Sequence, residues 1–384
     1  MTQLKIAVLI DWFVPGYKAG GPIQSVFNFC LAFKREYKLF VITSDTDLNE
    51  DTPYPDIASN CWVQPQDQFI DVYYLSKNKR TYFNIQSLLR EVKPDFIYLN
   101  HIFSVQFVIF PWLIWWLKRI DSRLVVCPRG ALFDSAMHHG NSYLKKLIFI
   151  HTIRMLKMHR NVVFHSTNDK ERITISNYFK TDKIVVANNL ANRKRVEFDS
   201  IKKEQGELKM IYMARILPIK NLLFLLKLLD KIKSKLTLTI AGPIEDADYW
   251  DQCLTVINRL PPNIAVQCKG AVPHHLVDTI LKENHLFVLP TEGENFGHSI
   301  FESFLAGRPV LISDQTPWRN LETLKVGWDI ALTDSNNFIK SIEFAGQMDQ
   351  ETFNHWAESA WHFAQKFNDQ QSDLINYKRL FCAE

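Results

Sequence analysis

Two glutamates, Glu294 and Glu302, stand in the run Leu289-Pro290-Thr291-Glu292-Gly293-Glu294-Asn295-Phe296-Gly297-His298-Ser299-Ile300-Phe301-Glu302. The apolar residues before Pro290 read as a buried strand, the polar stretch as a turn, and the residues from about Gly297 onward as a helix. The unpaired amides at the start of that helix, near Phe296, Gly297 and His298, suit an anion, and Gly297 lets backbone approach a phosphate closely. Glu302 lies about five residues into the helix, a rise of ~7.5 Å at ~1.5 Å per residue, so the two carboxylates are not a close acid/base pair. That spacing suits two hydroxyl-bearing groups joined through a diphosphate, each held by charge-assisted hydrogen bonds of ~1.5–3 kcal/mol. The alternative is a capping Glu294 and a solvated Glu302. Two cations weigh against that alternative: in Met213-Ala214-Arg215-Ile216-Leu217-Pro218-Ile219-Lys220-Asn221, Arg215 follows a strand and Lys220 precedes a helix, where they would neutralise a diphosphate and stabilise it as a leaving group.

The elements that must position these groups follow from the period of the sequence. Short β-branched runs alternate with longer segments of helical period, as in βαβ units built into parallel sheets. Strands are expected at Lys5–Asp11, Leu39–Ser44, Phe96–Asn100, Leu124–Cys127, Val162–His165 and Ile184–Ala187, and again at Met210–Met213, Leu236–Ala241, Ile264–Cys268, Leu286–Leu289, Val310–Ile312 and Trp328–Leu332. A polar stretch from Asn192-Arg193-Lys194-Arg195 to Glu207 separates the two series and reads as a linker. The expected division is 1–200, then 201–365, with 366–384 as a terminal helix that crosses back to the first domain. Ligands of open α/β sheets bind at the carboxyl ends of the strands, so function belongs in the loops that follow them.

Taken in order, Arg215-x4-Lys220-Asn221, Ala241-Gly242, Gly270-Ala271-Val272, Gly293-Glu294-x-Phe296-Gly297-x4-Glu302 and Ala306-Gly307-x-Pro309-Val310 resemble the donor domain of retaining GT-B glycosyltransferases, family 4, also described as glycosyl transferases group 1. The resemblance implies an α/β fold of the GT-B type, two Rossmann-like doubly wound domains facing across a cleft. It implies a metal-independent hexosyltransferase-type enzyme with no cofactor, using a UDP- or GDP-sugar donor and a glycan or polyprenyl-linked acceptor, as in bacterial surface polysaccharide synthesis. Carried over by position, Arg215 and Lys220 hold the donor diphosphate, Glu294 a hydroxyl of the donor sugar, and Glu302 the nucleotide ribose. Backbone around Gly270 and Val272 meets the base, and the amides from Phe296 through Gly297 and His298 to Ser299 serve phosphate and sugar. His298 stands where the family usually has an apolar residue.

In the first half, Gly20-Gly21 before the helical run Ile23–Phe33 resembles the family's glycine loop, which reaches the donor phosphate from the other domain; a simple turn is the alternative. Many members carry a histidine near the reacting sugar, but here the stretch is Cys127-Pro128-Arg129-Gly130, and Arg129 stands in that place. Arginine is no base at neutral pH, yet it can bind an anionic acceptor or the departing phosphate. His101 and His165, each closing a strand, are the other acceptor-side candidates, with a structural role as the alternative. The gap is tolerable in a front-face displacement, where the leaving diphosphate takes the acceptor proton and the protein positions and stabilises. Asp45-x-Asp47 and Asp246-x-Asp248 have metal-motif spacing without its context and are expected on solvated surface.

Composition bounds these readings. With 384 residues, 47% hydrophobic and 22% charged, the chain is a folded globular protein, neither disordered nor a disulfide scaffold. Six scattered cysteines without a CxxC pair indicate no zinc site and no redox dithiol, and most fall in apolar runs, as buried thiols do. No signal peptide and no membrane-spanning run is evident, so a cytoplasmic location is expected. Net charge is +4, but residues 118–195 carry 16 basic against 5 acidic side chains, which points to an anionic partner. Within it, Ser142–Arg160 mixes Lys145, Lys146, Arg154, Lys157 and Arg160 with apolar residues and suits the inner face of an anionic membrane, whereas the aromatic run Val105–Leu117 reads as a core helix. The competing classes are a non-catalytic protein that grips membrane or nucleic acid, and a sugar-nucleotide epimerase of the same fold. No nucleic-acid module is recognisable, and no nucleic-acid partner is expected.

Overall fold

A computed structural model describes residues 3–65, 67–138, 142–193, 196–369 and 372–382. Lys194 and Arg195 of the expected linker lie outside them. By its own contacts the chain divides into two compact units, Met1–Leu190 together with Gln371–Glu384, and Ala191–Gln370.

The first unit holds eight strands: β1 Lys5–Leu9, β2 Lys38–Ser44, β3 Trp62–Val63, β4 Ile70–Leu75, β5 Phe96–Asn100, β6 Arg123–Cys127, β7 Val162–Ser166 and β8 Ile184–Val186. Their order is β3-β4-β2-β1-β5-β6-β7-β8. All pairs are parallel except β3 on β4. Both faces of this sheet are covered, which is why β1 and β5 read as continuous apolar runs. Ile6 and Val8 enter one core beneath the sheet while Ala7 and Leu9 enter the other, as the two-residue period of a strand requires. The terminal helix Ser372–Leu380 belongs to the first of these cores, where Tyr377 stacks on Phe29 with ring centroids 5.6 Å apart and Phe381 meets Phe96 at 5.5 Å.

The second unit holds β9 Glu207–Met213, β10 Lys235–Ala241, β11 Ile264–Gly270, β12 Leu286–Leu289, β13 Val310–Ser313 and β14 Gly327–Ile330. The order is β11-β10-β9-β12-β13-β14, parallel throughout. Strand order reverses between β9 and β12, and this is the switch point at which doubly wound sheets bind ligands.

All twelve strands expected from sequence are present, with ends shifted by up to three residues. Two further strands, β3 and β4, were not foreseen. The run Ile70-Asp71-Val72-Tyr73-Tyr74-Leu75 lies next to the sheet edge, so its alternate residues are only half-buried and Asp71 dilutes the apolar signal. Val105–Leu117 is a core element as expected, a π-helical turn at Val105–Ile109 leading into the helix Phe110–Trp116 with Trp112 fully buried. The cysteine expectation needs correction: Cys30, Cys127 and Cys253 are buried, but Cys61, Cys268 and Cys382 are exposed. Cys268 shows why, because β11 is an edge strand whose later residues face solvent despite their apolar context.

Candidate functional site

In the second unit the site grows from the loops after β9 and β12. The first runs from Ala214 to Asn221 through a short 3-10 turn at Pro218–Lys220, and Asn221, in the left-handed conformation at φ 58°, starts the helix Leu222–Leu229. The second, residues 290–297, leads to the helix His298–Leu305. Backbone ties the two together: the Glu292 amide donates to Ile219 O at 2.8 Å and the Thr291 hydroxyl to the same oxygen at 3.1 Å. The Glu294 amide donates to Gln315 O at 3.0 Å, and Trp318 Nε1 donates to Phe296 O at 2.6 Å. These bonds fix the loop, and across it the Lys220 ammonium and the Glu294 carboxylate form an ion pair, with side chains 13% and 16% exposed. Both groups therefore stand at the switch point, partly desolvated.

Arg215 takes a different partner. Its Nη1 bonds both carboxylate oxygens of Glu245, at 2.8 and 3.0 Å. Glu245 is held there by the turn after β10, where the amides of Glu245 and Asp246 donate to Ile216 O and the Ile216 amide donates to Pro243 O. Gly242 permits this approach, since a Cβ at that position would stand 1.8 Å from Ala214 O. Among the described residues, Nε and Nη2 of Arg215 make no hydrogen bond, which leaves one edge of the guanidinium for an oxyanion.

Gly297 has φ 78° and no side chain caps the helix it opens. A Cβ there would come within 2.6 Å of Ile300 Cδ1, which that side chain could yield, so it is the positive φ that calls for glycine. Phe296 is 5% exposed within an aromatic cluster with Trp318 at 5.3 Å and Phe301 at 5.9 Å, so only its backbone is available to a ligand. His298 begins the helix with its ring 4.8 Å from that of Phe296, and Ser299 is half-buried beside it. Gly270 ends β11 at φ 66°, its carbonyl accepting from Gly242 N at 2.8 Å, and Val272 is half-buried two residues on.

Glu302 is the anomaly. Its side chain is 14% exposed, it accepts no hydrogen bond from any described residue, and its charged neighbour is His274, Nδ1 to Oε1 3.8 Å. Burial pushes its carboxyl up from 4.5 to about 8.

In the first unit the switch point lies between β1 and β5. The loop after β1 is pinned by Asp47, which accepts from the amides of Tyr17 at 2.9 Å and Lys18 at 3.2 Å. Gly20, at φ 65°, precedes the helix that starts at Gly21, and its carbonyl accepts the first helical bonds from Ile23 and Gln24. Asp45 is likewise buried, bonded to Arg80 at 3.0 Å and to Ser59 at 2.8 Å. The expectation that Asp45 and Asp47 lie on solvated surface is thus wrong, because their carboxylates serve as local anchors for loop backbone and a half-buried arginine. Asp246 is a helix cap, accepting from Tyr249 N at 2.9 Å, and Asp248 is exposed.

Arg129 and His165 come together around Tyr98, His165 fully buried and Arg129 half-buried. Arg129 bonds Asn100 Oδ1 at 2.7 Å, Asn189 Oδ1, and the Tyr98 hydroxyl at 3.1 Å. That hydroxyl meets His165 Nδ1 at 2.7 Å, and His165 Nε2 reaches Ala187 O at 2.8 Å. His165 is fully buried with both ring nitrogens engaged, and burial, reinforced by Arg129, lowers it to about 3, so it is neutral. These are the contacts of a structural network. His101 is apart from it: at φ 86° it closes β5, its Nδ1 accepts from Phe103 N at 3.3 Å, and burial lowers it to about 4.

Sequence reasoning missed Asp11, whose carboxylate accepts from Ser104 Oγ at 2.6 Å across the first switch point, along with Glu245 and His274. For Asp11 the signal was available, a carboxylate directly after a buried strand. Glu245 and His274 sit in ordinary-looking turns and become visible only through their partners. Among the described residues, no group of three or more His, Cys, Asp or Glu side chains is placed to hold a metal ion.

Comparison with known proteins follows this geometry. Residues 193–362 match the model of the family described as glycosyl transferases group 1. No curated protein sequence matches the chain significantly. Among solved structures, sucrose-phosphate synthase from Thermosynechococcus elongatus aligns with a TM-score of 0.71 at 14% identity, over 99% of this chain and 98% of that one. HepE of Anabaena, in complex with UDP and glucose, aligns with a TM-score of 0.66 at 13% identity over 99% and 98% of the two chains. WaaG, a glycosyltransferase involved in lipopolysaccharide biosynthesis, aligns with a TM-score of 0.65 at 13% identity over 98% of each. The fold is that of GT-B glycosyltransferases, with two parallel-sheet α/β domains, and residues 193–362 are similar to the glycosyl transferases group 1.

Proposed function

We propose that this protein is a retaining, metal-independent glycosyltransferase that moves a hexose from a UDP- or GDP-sugar to a glycan or polyprenyl-linked acceptor in surface polysaccharide synthesis. The observation that carries the reading is the ion pair between Lys220 and Glu294 at the switch point of the second sheet, beside a guanidinium edge of Arg215 that no described residue occupies. In this account Lys220 exchanges the carboxylate for the donor diphosphate and Arg215 adds a second cation. Glu294, released from Lys220, accepts from a hydroxyl of the donor sugar. Glu302, short of hydrogen-bond donors, receives those of the ribose, and backbone from Gly270 to Val272 lies along the base. The uncapped helix start, Gly297 to Ser299, faces phosphate and sugar.

The chemistry asked of these groups is electrostatic. The bond from the anomeric carbon to the diphosphate oxygen breaks, the acceptor oxygen bonds that carbon on the same face, and the acceptor proton passes to the departing phosphate. Lys220 and Arg215 stabilise the charge that develops, an effect commonly worth ~10²–10³-fold per donor. Gly20 and Gly21 keep the donor-phosphate role that the resemblance gives them, and His101, neutral at physiological pH, is the acceptor-side histidine that remains.

A peripheral place on the inner face of the cell membrane completes the reading. Leu144, Ile148 and Met155 are 68%, 57% and 68% exposed on the helix Tyr143–Met155, with Lys145 and Arg154 exposed on the same helix. Among the described residues no helix is long and apolar enough to cross a membrane. Transfer from a panel of UDP- and GDP-sugars is the test: Glu294→Ala should cut turnover at least ~10²-fold with the melting transition retained. Undiminished turnover in that variant would remove the proposal.

A further inference from the structure

Resting on the reading that Arg215 meets the donor diphosphate, we infer that Glu245 is a positioning residue of the donor site, a fixed carboxylate that orders the Arg215 guanidinium for phosphate and keeps its place when the donor binds. A single nitrogen, Nη1, donates to both oxygens of Glu245, at 2.8 and 3.0 Å, and among the described residues these are the only hydrogen bonds that the Arg215 side chain makes. An arginine that is 35% exposed has many rotamers in reach, so without this contact ligand binding would have to order it. With Nη1 committed to Glu245, the edge formed by Nε and Nη2 is left, and that edge offers two parallel N–H groups to two oxygens of one phosphate.

Glu245 suits this task because its own backbone is held. Beyond the ends of β9 and β10 the two segments stay paired: the Ala214 amide donates to Ala241 O at 3.1 Å, the Ile216 amide to Pro243 O at 2.8 Å, and the amides of Glu245 and Asp246 both to Ile216 O, at 3.2 and 3.3 Å. Ile216 and Ile244 form a parallel bridge at the same place. Asp246 then caps the helix Ala247–Ile257, accepting from Tyr249 N at 2.9 Å. One turn past Glu245, the buried Tyr249 accepts at its hydroxyl from the Leu223 amide at 2.8 Å. Leu223 lies in the first turn of the helix that follows Lys220, where amides lack partners within the helix. The segment after β10 thus braces both cations, Arg215 directly through Glu245 and Lys220 through the helix start that Tyr249 secures.

The two ion pairs of the site then have different parts. On the proposed reading Glu294 leaves Lys220 for a sugar hydroxyl, whereas Glu245 occupies one nitrogen of Arg215 and phosphate needs no exchange with it. The opposing effect is repulsion between the Glu245 carboxylate and the diphosphate. Solvent at an arginine one-third exposed screens that repulsion, while the saving in side-chain order is kept in full. Glu245 therefore raises affinity for phosphate although it bears the same sign of charge.

The test is calorimetric titration of the whole chain with UDP, and with GDP if UDP does not bind, for wild type, Glu245→Ala, Glu245→Gln, Arg215→Ala and the double variant Arg215→Ala/Glu245→Ala, with the melting temperature of each taken without ligand. Arg215→Ala should bind at least ~tenfold more weakly, the loss of charge-assisted hydrogen bonds. Glu245→Ala should bind roughly fivefold more weakly, the cost of ordering one long side chain, and Glu245→Gln, which keeps an oxygen for Nη1, should recover most of that. The double variant should bind no more weakly than Arg215→Ala, because Glu245 acts through Arg215 alone. A merely structural Glu245 would instead lower the melting temperature and weaken binding equally in both backgrounds, and that result overturns the inference. Wild-type or tighter binding by Glu245→Ala overturns it as well, the tighter case making the carboxylate a competitor of phosphate. Undiminished binding by Arg215→Ala removes the diphosphate role of Arg215 itself, and absence of binding by either nucleotide to wild type removes the donor reading together with this one.

Discussion

The loops at the carboxyl ends of the two sheets carry similar residues and use them in opposite ways. In the first unit, Arg129 extends from the end of β6 and is sealed by Asn100, Asn189 and Tyr98, with His165 behind, and nearly every donor meets an acceptor. In the second, Lys220 and Glu294 pair at the rim of the sheet, and among the described residues one edge of Arg215 stays open and Glu302 meets no hydrogen-bond donor. A buried polar group is tolerable when satisfied and costly when not. The first arrangement therefore serves stability, and the second, on the proposed reading, holds free energy that the donor would recover on binding.

The comparison breaks most readily at its two extremes. Arg129→Ala should destabilise the protein by about 3–5 kcal/mol, because it strips the charge from a buried network and leaves three polar partners unsatisfied. Chemical denaturation measures this, and a loss comparable to that of a surface arginine would show the network to be incidental. Gly297→Ala sharpens the other side. It forces an L-residue to φ 78° with its Cβ 2.6 Å from Ile300, which should cost about 2 kcal/mol and lower turnover through the displaced loop. Wild-type stability and turnover together would mean that the loop relaxes freely.

A smaller effect tests the unsatisfied carboxyl itself. Because Glu302 holds its proton up to about 8 in the folded protein against 4.5 ordinarily, the native state binds more protons than the unfolded chain between those values. Stability from this group is therefore full below 4.5 and declines as pH rises towards 8. Glu302→Gln should raise the melting temperature by an amount that is near zero at low pH and grows to a few degrees across that window. A constant difference at every pH would show that Glu302 is ionised in the native state.

How much of this was legible beforehand differs between the same two regions. The second sheet could be read because buried parallel strands are continuous apolar runs, and Arg215, Lys220, Glu294 and Glu302 were picked out by their spacing and by their resemblance to a donor domain. The first region was harder. Arg129 and His165 stand at strand ends as site residues do, and only the three-dimensional partners Tyr98, Asn100, Asn189 and Ala187 show them joined in one hydrogen-bonded network. Asp45 and Asp47 were misread for the same reason, since sequence gives the spacing of two aspartates but not the loop amides that bury them. Glu245 and His274 lie far in sequence from Arg215 and Glu302, and a pair defined across that distance leaves no local pattern.

The central claim is tested most directly by thermal denaturation of wild type and of Lys220→Ala in the presence of UDP or GDP, since a ligand bound only by the folded state raises the melting temperature in proportion to its affinity. One of these nucleotides should stabilise the wild type, and Lys220→Ala should lose most of that shift while melting normally without ligand. An equal shift in both proteins would place the diphosphate elsewhere and contradict the account.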